Sequence, residues 1–132
     1  MTERVVIVGG GFGGVAATKE LKKADVEVTL VDRTNHHLFQ PLLYQVAAGI
    51  LPPGLIAPAL RHVISDQANA RVLLADVHDL DLVGKRVLAR GPDGRELELP
   101  YDTLVVAAGA THSYFGQDQF GACHVSRVST GD

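Results

Sequence analysis

The run Val5-Val6-Ile7-Val8-Gly9-Gly10-Gly11-Phe12-Gly13-Gly14 decides the fold: contiguous apolar residues break into glycines, and a helical pattern follows. Gly9, Gly11 and Gly14 satisfy G-x-G-x-x-G, and Asp32 stands 23 positions after Gly9, closing the second apolar run Val26-Glu27-Val28-Thr29-Leu30-Val31. Strand, glycine turn, helix, second strand and terminal acid are the context that a dinucleotide fingerprint requires. Gly9 permits the tight turn, Gly11 lets backbone approach a pyrophosphate, and Gly14 lets the helix pack closely on the strand. Unpaired N–H groups in the first helical turn then stabilise phosphate charge. Asp32 is suited to accept hydrogen bonds from a ribose diol and to repel a 2′-phosphate, so FAD or NAD fits better than NADP.

Working outward, Arg4 to Val8 and Val26 to Val31 read as buried parallel strands, short and β-branched. Gly13 to Lys23 reads as the intervening helix, with Val15, Ala16 and Leu21 turned to the sheet. A loop and a short helix are expected after Pro41, and a helix from Ala57 to Ile64 that uses Pro58 in its first turn. Arg71 to Val77 is predicted as a third parallel strand. Lys85 to Ala89 and Glu96 to Leu99 flank the turn signature Gly91-Pro92-Asp93-Gly94, which makes them an antiparallel pair. Thr103 to Val106 returns as a buried strand followed by Ala107-Ala108-Gly109-Ala110, small residues past which backbone can approach a ligand. The fold class is therefore α/β, a Rossmann-like domain with a parallel sheet and a small antiparallel addition.

Composition narrows the function classes. A chain of 132 residues suffices for one domain with a core but is short for an enzyme that holds a dinucleotide and a second substrate. A formal net charge of −3 gives no basic excess, so nucleic acid is not an expected partner. The single cysteine, Cys123, excludes an internal disulfide framework, and with no signal-like start before Arg4 the expected location is cytoplasmic. No apolar run approaches the roughly 18 to 20 residues that span a bilayer. The most apolar stretch, Ile50 to Leu60, is broken by Pro52, Pro53, Gly54 and Pro58. Any membrane contact is thus expected to be peripheral or to lie in other sequence.

Other residues read plainly. Phe39 and Tyr44, taken alone, read as core aromatics. His36 and His37 are adjacent, so they point in different directions in a strand or helix, and no other His or Cys stands at ligand spacing; no metal site is expected. Asp76, Asp79 and Asp81 read as solvated carboxylates around a strand end.

These residues together resemble the FAD-binding start of the two-dinucleotide-domain flavoprotein reductases. Within that group, His36-His37-Leu38-Phe39-Gln40-Pro41-Leu42-Leu43-Tyr44-Gln45-Val46-Ala47, combined with the glycine run, resembles the type II NADH dehydrogenases, the single-subunit NADH:quinone oxidoreductases. The resemblance runs from about Arg4 to Phe120. It implies FAD as the first dinucleotide, with Gly9, Gly11, Phe12, Gly13 and Gly14 along its pyrophosphate, Asp32 on the adenosine ribose with Arg33 beside it, and Val77 near the adenine. It further implies Gln40, Pro41 and Tyr44 on the flavin side and Ala108-Gly109 against the cofactor's middle. The implied reaction is hydride transfer from NADH to FAD, then passage of two electrons to a membrane quinone. The complete enzyme is implied to sit peripherally at the inner face of the cell membrane.

The family's second fingerprint, for NADH, its return segment and its C-terminal membrane helices are not in this sequence. Residues 1–120 are thus expected to be the N-terminal, incomplete part of the FAD-binding domain, and residues 121–132 an irregular tail that departs from the family pattern. By itself the chain is expected neither to hold FAD stoichiometrically nor to oxidise NADH, and its exposed apolar sheet favours pairing with another chain, as a homodimer for example. Dithiol and sulfide:quinone reductases place cysteine beside the flavin, yet Phe39 to Gly49 has none, which argues against a thiol mechanism. A ferredoxin- or rubredoxin-type reductase and a catalytically inactive nucleotide-binding fragment remain as alternatives.

Overall fold

The computed structural model describes residues 2–34, 36–37 and 39–109. The expected irregular tail at 121–132, Cys123, Asn35, Leu38 and Ala110 lie outside them. In chain order the elements are β1 (Glu3–Val8), α1 (Phe12–Glu20), β2 (Val26–Asp32), α2 (Leu43–Ala47), α3 (Leu60–Val63), β3 (Ala70–Leu74), β4 (Asp76–Asp81), β5 (Arg86–Arg90), β6 (Glu96–Pro100) and β7 (Thr103–Val106).

A four-stranded parallel sheet has the order β3-β2-β1-β7. Its inner strand β1 pairs with β2 from Glu3↔Val26 to Val8↔Val31 and with β7 from Val5↔Thr103 to Val8↔Val106. Side chains alternate across this sheet with the strand period of two. Val5, Ile7, Val28 and Leu30 pack on one face with Val15 of α1 and Leu60 of α3, whereas Val6 and Val31 pack on the other with Val87, Ala89 and Tyr101. Burial on both faces is why β1 and β2 read as unbroken apolar runs.

The second face is covered by a three-stranded antiparallel sheet, β4-β5-β6, a layer larger than the expected hairpin. Here the sequence reading is corrected. The expected strand from Arg71 to Val77 is two strands: β3 ends at Leu74, Ala75 is buried and donates its N–H to the Asp32 carbonyl at 3.0 Å, and the chain then joins the other sheet. Val77 pairs with Ala89, and a bulge follows between Val77 and Asp79. The apolar run Val72 to Ala75 leads without a turn residue through Asp76 to Val77, which conceals the change of sheet. Asp76 opens β4 and Asp81 closes it, with Asp79 between them, so two of these acids stand at strand ends; Asp81 pairs with Arg86 at 2.8 Å. The turn at Gly91-Pro92-Asp93-Gly94 forms as expected, with the Gly94 N–H donating to the Gly91 carbonyl at 3.0 Å.

Two helix readings are also corrected. Regular α-helix ends at Glu20, and Leu21–Lys23 tighten into a 3-10 turn. Its sheet-facing residues are Gly14, Val15 and Thr18, while Ala16 is exposed. Thr18 fits there because its Oγ1 donates to the Gly14 carbonyl at 2.8 Å, which satisfies the hydroxyl within the helix. The helix expected from Ala57 begins only at Leu60. Residues 57–59 stay extended because their backbone is used elsewhere: the Pro58 carbonyl accepts from the His37 N–H at 2.9 Å, and His36 bridges Ala59.

Two side-chain clusters hold these layers in register. Asn69 Nδ2 lies 2.9 Å from the Leu21 carbonyl oxygen, 3.2 Å from that of Ala24 and 3.1 Å from that of Val26, and Gln67 Nε2 donates to the Thr18 carbonyl at 2.7 Å. Gln67 thus serves a carbonyl in the last turn of α1, and Asn69 ties the 3-10 turn and the loop after it to the start of β2. Asp102, just before β7, accepts from the Arg4 N–H at 2.8 Å and its Nε at 3.1 Å, joining the starts of β1 and β7. That arginine holds the Asp102 carboxyl down at about 2.

Candidate functional site

The carboxyl ends of the parallel strands meet at one edge, where the glycine turn leaves β1. Gly9 has a φ of +107°, and a Cβ there would lie 2.2 Å from the Ala107 carbonyl oxygen, so only glycine fits between β1 and the segment after β7. Its N–H donates to the Val31 carbonyl at 2.8 Å, and the Ala107 N–H donates to the Val8 carbonyl at 2.8 Å. A Cβ on Gly14 would stand 1.7 Å from the Gly9 carbonyl oxygen, which ties the first turn of α1 onto the strand end. Gly11, the N-cap of α1, faces open space: a Cβ there meets nothing within 4 Å.

Asp32 is half-buried beside this turn. Its Oδ1 accepts from the Gly10 N–H at 3.0 Å, and its Oδ2 accepts from the Thr34 N–H at 3.0 Å and the Thr34 hydroxyl at 2.8 Å. A carboxylate offers about four acceptor positions, so these bonds orient the group while leaving Oδ1 able to take a further hydroxyl.

A cavity of about 480 Å³ opens along this edge, lined by Val8, Gly9, Val31, Asp32, Arg33, Ala75, Asp76, Val77, Ala108 and Gly109. That volume is in the range of small-molecule sites, and its position outside the strand carboxyl ends is where open α/β sheets bind ligands. Of the residues singled out from sequence, Gly9, Asp32, Arg33, Val77, Ala108 and Gly109 are brought together on its walls. Gly11, Phe12 and Gly13 form the exposed start of α1, and Gly14 is buried beneath them.

The remaining candidates stand apart from these walls. Gln40 and Pro41 open a 3-10 turn, Pro41 is exposed, and Tyr44 on α2 is 65% exposed with its hydroxyl accepting from Gln45 Nε2 at 2.9 Å. The reading of Phe39 and Tyr44 as core aromatics is therefore corrected. Phe39 is 41% exposed and packs edge-on to Phe12, with ring centroids 5.6 Å apart.

Sequence reasoning missed several neighbours. Gly10 is confined too, by a side chain where Gly9 and Gly14 are confined by backbone: a Cβ there would come 2.5 Å from Leu60 Cδ1; the unbroken triplet of glycines was its signal. Thr34, two residues past Asp32, is a spacing that lets a carboxylate bond the following backbone. His37 reaches the turn with its Nδ1 3.1 Å from the Gly10 carbonyl oxygen, and no local pattern announces that contact. Among the described residues, no group of three His, Cys, Asp or Glu side chains is placed to hold a metal ion, and no helix is long and apolar enough to cross a membrane.

Residues 3–131 match the Pyridine nucleotide-disulphide oxidoreductase family. The chain belongs to that family. Among its relatives, type II NADH:quinone oxidoreductase Ndh of Mycobacterium tuberculosis is 56% identical over 117 residues, which cover 89% of this chain and 25% of Ndh. NdhA of the same organism is 55% identical over 117 residues, with the same coverage of 89% and 25%. The chain thus spans about a quarter of the length of these relatives. NDH2 of Plasmodium falciparum, solved in complex with RYL-552, superposes with a TM-score of 0.81 at 24% identity, covering 88% of this chain and 24% of that one. That likeness establishes the fold: the parallel sheet, its glycine turn and the antiparallel layer are the architecture of this pyridine nucleotide-disulphide oxidoreductase chain.

Proposed function

We propose that this chain is the FAD-binding portion of a type II NADH:quinone oxidoreductase. The observation that carries the reading is the cavity at the strand carboxyl edge, where Gly9, Asp32 and Ala108-Gly109 converge beside the N-terminus of α1. The donor set fits an adenine dinucleotide. Gly11 stands against open space at the helix N-terminus, where a phosphate needs close backbone approach and N–H donors. Asp32 keeps an acceptor position for a ribose hydroxyl, and Val77 and Ala75 line the same cavity at a place suited to an adenine ring.

The bound flavin supplies the redox chemistry, accepting hydride from NADH and passing electrons to a quinone. This chain's residues bind and orient. The glycine turn and α1 hold the pyrophosphate, Asp32 fixes the ribose with Arg33 next to it, and Ala108 and Gly109 let backbone lie close to the middle of the cofactor. Gln40, Pro41 and Tyr44 are assigned to the flavin side. The 56% identity to a type II NADH:quinone oxidoreductase supports this reaction over that of a ferredoxin- or rubredoxin-type reductase. The complete enzyme is proposed to work peripherally at the inner face of the cell membrane, where a quinone is within reach.

The test uses the protein made from its complete gene. Purified protein should be yellow, lose its flavin colour on anaerobic addition of NADH, and regain it when a soluble quinone follows. Flavin that NADH fails to bleach would refute the dehydrogenase reading. Reoxidation by an iron–sulfur protein but not by quinone would move the assignment to another reductase of the same fold.

A further inference from the structure

We propose that His37 is a positioning residue for the phosphate-binding turn, holding the Gly10–Gly11 peptide in one orientation through a hydrogen bond from Nδ1 to the Gly10 carbonyl. The inference rests on the flavin reading above and deepens it. Nδ1 lies 3.1 Å from that oxygen. A carbonyl has no proton to give, so Nδ1 must carry the hydrogen, which in the neutral ring makes His37 the Nδ1–H tautomer.

The consequence follows from peptide geometry. Across a trans peptide the C=O and N–H vectors point in opposite directions, and no cis bond occurs among the described residues. Fixing the Gly10 carbonyl on His37 therefore fixes the Gly11 N–H away from it, at the N-cap position that borders open space. On its other side Gly10 donates its own N–H to Asp32 Oδ1 at 3.0 Å. Gly10 is thus held from both directions, by a carboxylate that lines the cavity and by an imidazole seated on Phe12. Consecutive glycines are the residues whose peptides flip at least cost, so the clamp removes freedom that ligand binding would otherwise have to remove.

His37 is itself held in place. Its backbone N–H donates to the Pro58 carbonyl at 2.9 Å, and Phe39 donates to the Ile56 carbonyl at 2.6 Å. Its ring lies edge-to-face with Phe12, with centroids 5.1 Å apart and planes at 81°. His37 and Phe39, anchored on Pro58 and Ile56, thereby reach the glycine turn through the Nδ1 hydrogen bond and through ring contacts with Phe12.

Asn carries its amide nitrogen the same number of bonds from Cα as Nδ1, whereas Gln carries it one bond further out. FAD affinity of the protein from the complete gene is measured for wild type, His37→Asn, His37→Gln and His37→Leu, with the melting temperature of each apoprotein. The expected result is affinity within about two-fold of wild type for His37→Asn and about five- to ten-fold weaker for His37→Gln and His37→Leu, the loss of one hydrogen bond. Equal affinity in all three variants, or His37→Asn as weak as His37→Leu, overturns the proposal. A second measurement needs no variant: the ring ¹⁵N shifts of wild-type His37 at neutral pH should show a protonated Nδ1, and an unprotonated Nδ1 overturns it. Wild-type protein that binds no FAD defeats the flavin reading instead, and the ¹⁵N result still decides the clamp.

Discussion

A methyl group on Gly14 would stand 1.7 Å from the Gly9 carbonyl oxygen, and backbone cannot yield as a flexible side chain does. Gly14→Ala is therefore expected to lower stability by about 3 kcal/mol, read as a lower denaturant midpoint with unchanged slope. Asp32 carries a different kind of constraint. Asp32→Asn keeps an acceptor for the Gly10 N–H but turns an NH₂ toward the Thr34 N–H, pairing donor with donor. The variant should lose about 1 to 3 kcal/mol of stability even without ligand, measured by the same denaturant titration; an unchanged midpoint would show that the Thr34 bonds are not made. Gly9 and Gly14 were legible because a tight strand-to-helix turn is a local demand. Gly10 and His37 were not, since what confines them, Leu60 and the Gly10 carbonyl, comes from distant parts of the chain.

At the level of elements, the C-terminal end of α1 depends on side chains from the segment between α3 and β3. Asn69→Ala removes the amide nitrogen whose two hydrogens are shared among the Leu21, Ala24 and Val26 carbonyls and should cost about 1 to 3 kcal/mol, with hydrogen exchange speeding first between the end of α1 and the start of β2. Exchange that rises uniformly along the chain would contradict this role. Strands β1 and β2 were legible because burial on both faces writes itself as contiguous apolar residues; β7, expected to be buried, lies at the sheet edge with Thr103 and Val106 exposed. The crossing from β3 to β4 was hidden, because Ala75 belongs to an apolar stretch on either reading and only its bond to the Asp32 carbonyl shows where the sheet ends. The helix at Leu60 was read too long for a similar reason: Ala57 to Ala59 have helical company in sequence, but Pro58 and Ala59 use their backbone to pair with His37 and His36.

Across the whole molecule, the Arg4–Asp102 pair closes the parallel sheet by linking the start of its inner strand to that of β7. Asp102 is held at about 2 in the folded state, below the roughly 3.9 of an unfolded aspartate. Its contribution is therefore present in full above the unfolded value and is lost as pH falls from about 4 through about 2. Asp102→Asn should lower stability at neutral pH and flatten the acid limb across that window by the same amount, a modest one because the pair is exposed; an unaltered acid limb would remove this role. The central claim is that the edge where β1, β2 and β7 end holds an adenine dinucleotide, and Gly11 tests it most directly, because a Cβ there borders open space among the described residues. FAD is titrated into apoprotein from the complete gene, wild type and Gly11→Val, alongside a denaturant curve for each. The account predicts stability within about 0.5 kcal/mol of wild type, with binding weakened by about a hundred-fold or more as the branched side chain enters the pyrophosphate path. Equal affinity for FAD in the two equally stable proteins would contradict it.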